Sequence, residues 1–90
     1  MKNSHRKLEQ QLKALANHRR LEIIAYLKKK RTGIVTDIAK DIGIRIEATS
    51  QHLRILKAAG IVEYVKRGRF SAYRLSLHQT EPAKKVLGML

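Results

Sequence analysis

Glu47, Ser50, Gln51 and Arg54 stand within the run EATSQHLRILKAAG, residues 47–60, and all four carry groups that donate to or accept from base edges and phosphates. Leu53, Leu56 and Ala59 recur between them at helical spacing, so the run reads as a helix with one apolar face. Thr49 joins the polar cluster in the first turns, the part of such a helix that meets bases when it lies in a major groove. A second group follows in KRGRF, where Lys66, Arg67 and Arg69 surround Gly68. Three cations on one tight turn do little for folding, but they suit phosphates and a narrow minor groove. Each feature alone has a plainer explanation, a solvated helix face or a charged loop tip that blocks edge pairing. Their adjacency favours nucleic-acid recognition.

Other chemistry finds little support. There is no cysteine, which removes disulfides, thiolate metal sites and cysteine nucleophiles. Asp37 and Asp41 share a helix face beside Lys40 and read as surface charge rather than an acid–base pair. His5 and His18 read as solvated, and His52 as packed at the core edge or touching a phosphate. No nucleophile, phosphate loop or metal-spaced ligand set is evident, so neither an enzyme nor a cofactor is expected.

The elements that must position these groups can be read from periodicity. Leu8, Leu12 and Leu15 mark a first helix over about 5–16, with Asn17 as break and N-cap. A second, more apolar helix runs over about 18–29 and closes at KKKRTG, cations at its negative end and a glycine beyond. Ile34 and Val35 read as a short strand, and Thr36 as N-cap of the helix DIAKDI, which ends at the Gly43 turn. Two β-prone runs, IVEYVK and RFSAYRLS, flank Gly68 as a hairpin. Pro82 opens a last helix, with Thr80 or Glu81 at its cap, carrying Val86, Leu87 and Leu90. The expected fold is mostly α with a small antiparallel β-hairpin, a single winged helix-turn-helix domain over 1–90. Its helix-turn-helix spans about 36–60 and its wing about 61–76.

The chain has 90 residues, with 20 Lys+Arg against 7 Asp+Glu and a net charge of +13. Such an excess opposes compaction and fits a polyanionic partner, nucleic acid first and an anionic membrane second; a helix that suits the major groove makes double-stranded DNA the expected partner. The apolar stripes are interrupted and needed for the core, which disfavours the membrane surface. No apolar run is long enough to span a bilayer or to make a signal peptide at the N-terminus, so a cytoplasmic setting is expected. A chain this short buries a thin core, and extra burial in a homodimer would help. Leu8, Leu12, Leu15, Val86, Leu87 and Leu90 either close the monomer core or form a dimer seam, and their terminal position favours the seam.

LKALANHRRLEIIAYL, VTDIAKDIGI and ATSQHLRILKAAGIVEYVKRGRFSAYRL together resemble the arsenical-resistance-repressor (ArsR-like) winged-helix regulators, over about residues 8–77. The most specific part is SxHLxxLxxAGxV, met by Ser50, His52, Leu53, Leu56, Ala59, Gly60 and Val62, followed by GRxxxYRL from Gly68 to Leu75. The resemblance implies a homodimeric repressor, joined through its first and last helices, on a palindromic operator. It would place Ser50, Gln51 and Arg54 on DNA from the recognition helix, and Arg67 and Arg69 from the wing, with Tyr73 packing the wing onto the body.

Two departures stand out. The recognition helix opens with RIEA instead of a small polar residue or proline, so Arg45 becomes a phosphate contact and Glu47 a group that selects against some sequences. The cysteines or paired histidines of metal-sensing members are missing, since His78 and Glu81 have no second histidine in the last segment, and no metal site is expected. A non-specific architectural nucleic-acid binder and a winged-helix protein-interaction module are the competing readings.

Overall fold

The structure is a computed structural model that describes residues 2–90, with side chains described from His5 onward. Its elements run α1 (Lys2–Leu15), α2 (His18–Lys30), β1 (Thr32–Ile34), α3 (Val35–Ile42), α4 (Ile46–Ala58), β2 (Val62–Arg67), β3 (Phe70–Leu75) and α5 (Glu81–Met89). β1, β3 and β2 form one antiparallel sheet with β3 in the middle. This is the winged helix-turn-helix arrangement expected from the sequence, with a third strand added to the hairpin.

The core follows the helical stripes. Ile23, Ile24 and Leu27 of α2, Ile38 of α3, Leu53 and Leu56 of α4, and Ile61 and Val62 entering the wing are all almost fully enclosed. Burying each such side chain contributes about 1.5–3 kcal/mol, and together they clamp α4 between α2, α3 and the sheet. Around this cluster Tyr26, Tyr73, Leu75, Val86 and Leu87 are half-buried.

Local chemistry sets the boundaries. Asn17 caps α2, its side-chain oxygen accepting from the Arg20 backbone N–H at 3.0 Å. Gly43 ends α3 at φ +82°, a left-handed conformation that glycine adopts without steric penalty, and its N–H reaches the Ala39 carbonyl at 2.8 Å. Pro82 lies in the first turn of α5 behind Thr80 at the N-cap, so Thr80 rather than Glu81 holds that position.

Two expected boundaries differ. β1 spans Thr32–Ile34, and α3 begins at Val35 with extended Ile34 as its N-cap, so Thr36 lies inside the helix and caps nothing. The end of α2 also departs from expectation. Arg31, not a glycine, takes the positive φ of 76°. Gly33 is required elsewhere: a Cβ there would lie 2.7 Å from Tyr26 Cε1 and 3.0 Å from Ile38 Cγ1. Close seating of β1 on α2 and α3 takes the glycine, and the backbone strain falls on Arg31.

Candidate nucleic-acid interface

α3 and α4 are joined by a three-residue turn, 43–45, whose tightness comes from the Ala39 carbonyl accepting from both Gly43 N and Ile44 N. Arg45 is extended and offers no side-chain cap to α4. Glu47, exposed in the first turn, complements the positive end of the helix dipole. On the outward side of α4, Arg45, Glu47, Gln51 and Arg54 are exposed and Ser50 is half-buried. Arg54 Nη2 donates to Gln51 Oε1 at 3.1 Å, so these two side chains form one donor–acceptor surface one turn deep.

Thr49 does not belong to that surface, which corrects the reading of its place from the sequence. It is fully enclosed, and its hydroxyl donates to the Arg45 carbonyl at 2.9 Å. Its position explains this: Thr49 lies four residues before Leu53 and seven before Leu56, on the same inward stripe. The hydroxyl is satisfied within its own helix, which lets a polar residue sit in the core.

The far end of α4 turns directly into the wing. Gly60 has φ +76° and its N–H reaches the Lys57 carbonyl at 2.9 Å, while Ile61 N reaches the Leu56 carbonyl at 2.9 Å. β2 and β3 then pair from Val62↔Leu75 to Arg67↔Phe70, leaving Gly68 and Arg69 as a two-residue turn. Gly68, at φ +60°, takes the first turn position, where tight hairpins favour glycine. Tyr73 is half-buried and packs edge-to-face on Tyr64, with ring centroids 5.8 Å apart at 85°. Lys57 Nζ lies 5.8 Å from the Tyr64 ring centroid, linking the last turn of α4 to the wing.

The wing cations are not equivalent. Lys66 and Arg69 are exposed with no acceptor among the described residues, whereas Arg67 Nη1 donates to Thr32 Oγ1 at 2.9 Å. Arg67 thus folds back on β1. Phe70, unassigned from the sequence, is 59% exposed at the tip. A strand pattern in RFSAYRLS carries no signal for which of its aromatics is left uncovered. Glu63 and Arg74, opposite each other in the register, pair at 2.7 Å.

The candidate seam residues divide. Leu15 is buried in the monomer core beside Ala14, which corrects its assignment; it lies at the end of α1 nearest the Asn17 break, where the chain folds back. Val86 and Leu87 pack partly against the same core. Leu8, Leu12 and Leu90 are exposed, and Leu8 and Leu12 line a shallow apolar groove on α1 with Ala16.

His52 is half-buried, and its Nδ1 lies 3.2 Å from Arg20 Nη1. Burial first, then the charges of Arg20 and Arg19, hold its imidazole below the usual histidine range. A neutral ring accepts from Arg20 through that nitrogen. Among the described residues no group of three or more His, Asp or Glu is placed to hold a metal ion, and no helix is long and apolar enough to cross a membrane.

A cation-bearing helix anchored on its apolar side and followed by a two-stranded wing, itself part of a three-stranded sheet, defines the winged helix-turn-helix class of DNA-binding domains. Residues 17–64 match the bacterial regulatory protein, arsR family. The chain is 35% identical over 71 residues to the arsenical resistance operon repressor of Bacillus subtilis, covering 79% of this chain and 68% of that protein. It is 37% identical over 67 residues to the HTH-type transcriptional repressor SmtB of Mycobacterium tuberculosis, covering 74% of this chain but 49% of that one, so it spans about half of that relative. Among solved structures, it resembles the homodimeric winged helix-turn-helix DNA-binding domain of a possible ArsR-family transcriptional regulator from Mycobacterium bovis. There the TM-score is 0.83 at 29% identity, over 97% of this chain and 77% of that one. The chain belongs to the arsR family of bacterial regulatory proteins, and it is a DNA-binding transcriptional regulator.

Proposed function

We propose that the chain acts as a homodimeric, cytoplasmic repressor that occludes a palindromic operator, without catalytic activity of its own. The observation that carries this reading is the division of α4: Leu53, Leu56 and Thr49 are locked inward, leaving Ser50, Gln51 and Arg54 on the opposite side. Arg54 and Gln51 supply base-edge donors and acceptors, and Ser50 a further hydroxyl. Arg45, at the helix start, meets a phosphate, and Glu47 disfavours particular neighbouring bases. Lys66, Arg67 and Arg69 bind backbone from the wing and supply affinity without sequence preference.

The dimer reading is supported by the exposed Leu8 and Leu12 on α1, the exposed Leu90 just past α5, and the homodimeric relative. In a two-fold pair, one self-complementary apolar patch covers the same patch on the other copy. Val86 and Leu87 border that patch from the core side.

Selection of bound duplexes from a random pool tests the reading. The expected product is an inverted repeat whose half-sites lie about 34–36 Å apart, one helical turn. A pool that remains unenriched, with equal affinity for every duplex, overturns it and leaves a non-specific architectural binder.

A further inference from the structure

We propose that Arg20 is a positioning residue for DNA recognition, fixing the angle between the apolar helix α1 and the recognition helix α4. The inference rests on the dimer and operator reading above. Arg20 Nε donates to the Ala14 carbonyl at 2.6 Å and Nη2 to the Lys13 carbonyl at 3.2 Å. These are last-turn carbonyls of α1, which a helix cannot satisfy internally once Asn17 breaks it. The third arm, Nη1, reaches His52 Nδ1 in the middle of α4. One planar guanidinium thus joins the C-terminus of α1 to the recognition helix.

A second tie lies further along. Gln10 Nε2 donates to the Ala58 carbonyl at 3.3 Å and Gln11 Nε2 to the Ala59 carbonyl at 3.1 Å, both at the C-terminal end of α4. Gln11 Oε1 also accepts from the Thr80 hydroxyl at the start of α5. His52 and Ala58 are six residues apart, about 9 Å along the helix at 1.5 Å per residue. A single tie would leave a pivot, but two ties this far apart set the direction of an axis.

The consequence concerns the assembled protein. Leu8 and Leu12 lie on the same α1 that carries Gln10, Gln11 and the carbonyls Arg20 holds. If that face is the seam, the ties transmit seam geometry to both recognition helices and so set the half-site separation that a dimer accepts. Lysine cannot replace Arg20 here, because an ammonium on a flexible stem lacks the fixed fork that serves three acceptors at once. His52 fits its part, since the environment that keeps its ring neutral preserves the acceptor that Arg20 needs.

The test uses the full chain on the selected operator and on versions with the central spacer one base pair longer or shorter. The wild-type protein should discriminate among them sharply. Arg20→Met should flatten that discrimination by about threefold to thirtyfold. Arg20→Lys should restore little of it, although it restores the charge. Should Arg20→Met fail to fold, the double variant Gln10→Met/Gln11→Met decides, since Gln10 is exposed and Gln11 only half-buried. It should flatten the spacing response in the same direction. A merely structural defect lowers affinity for all three operators equally. Undiminished spacing discrimination in the folded variants therefore overturns the proposal. A wild-type chain that selects no operator overturns the underlying reading and the proposal with it.

Discussion

α4 and the β2–β3 hairpin carry similar polar and cationic side chains on very different supports. α4 is enclosed by α2, α3 and the start of the wing, and Thr49, Leu53 and Leu56 leave it no inward polar group without a partner. The hairpin tip has Gly68 and Arg69 in the turn and an exposed Phe70, and among the described residues Arg67 is its one cation with a hydrogen bond back to the body. Side chains that must match base edges need fixed positions, because hydrogen bonds weaken steeply with misalignment. Phosphate attraction is long-ranged and tolerant, so a looser support serves it well. Under the function proposed above, reading falls to the enclosed helix and gripping to the exposed tip of one small domain.

The largest expected effect comes from undermining the rigid part. Leu53→Ala should cost about 2–5 kcal/mol of stability in denaturant melts, whereas Phe70→Ala at the wing tip should stay within about 0.5 kcal/mol. Equal losses would erase the contrast. Arg54→Ala should weaken binding to the selected operator by about 1–3 kcal/mol while leaving random duplex nearly unchanged, as read by parallel gel-shift titrations. Arg69→Ala should weaken both duplexes alike and reduce the slope of log affinity against log salt by about 0.9. Mutation of Arg69 separates the two regions more cleanly than that of Arg67, which also removes the bond to Thr32.

The smallest effect is a pH dependence centred on α4. Because the folded His52 has a lowered pKa, the unfolded chain takes up its proton first on acidification. The His52 contribution is therefore full above about pH 6.5, the ordinary imidazole value, declines as pH falls from there toward the lower folded value, and levels off below it. His52→Gln should remove this acid-side loss in melts compared at pH 7 and pH 5.

Most of the architecture was legible in the residues. The stripes of α2 and α4, the Asn17 cap and the Gly43, Gly60 and Gly68 turns all follow from local chemistry that tertiary packing reinforces. The polarity of Thr49 points outward, whereas its position on the helix points inward. Its spacing from Leu53 and Leu56 already marked it as inward, and a hydroxyl that bonds its own helix can be buried. The burial of Leu15 is hidden from the sequence because a stripe does not say where the chain folds back over it. The positive φ at Arg31 was invisible for a different reason. Glycine was expected at the helix end, but Gly33 is consumed by its contact with Tyr26 and Ile38, which involves residues distant in sequence. The polar ties of Arg20, Gln10 and Gln11 are equally non-local. Each looks like surface charge or amide until the partner carbonyls are in place.

Recognition by α4 and grip by the wing, as proposed, give binding two separable parts, sequence preference and salt dependence. Equilibrium titration of the wild-type chain on selected and random duplexes, across a series of salt concentrations, tests this separation most directly. Affinity for both duplexes should fall steeply with salt, while the selected duplex binds at least about a thousandfold more tightly. Equal affinity for the two duplexes, or binding insensitive to salt, would contradict it.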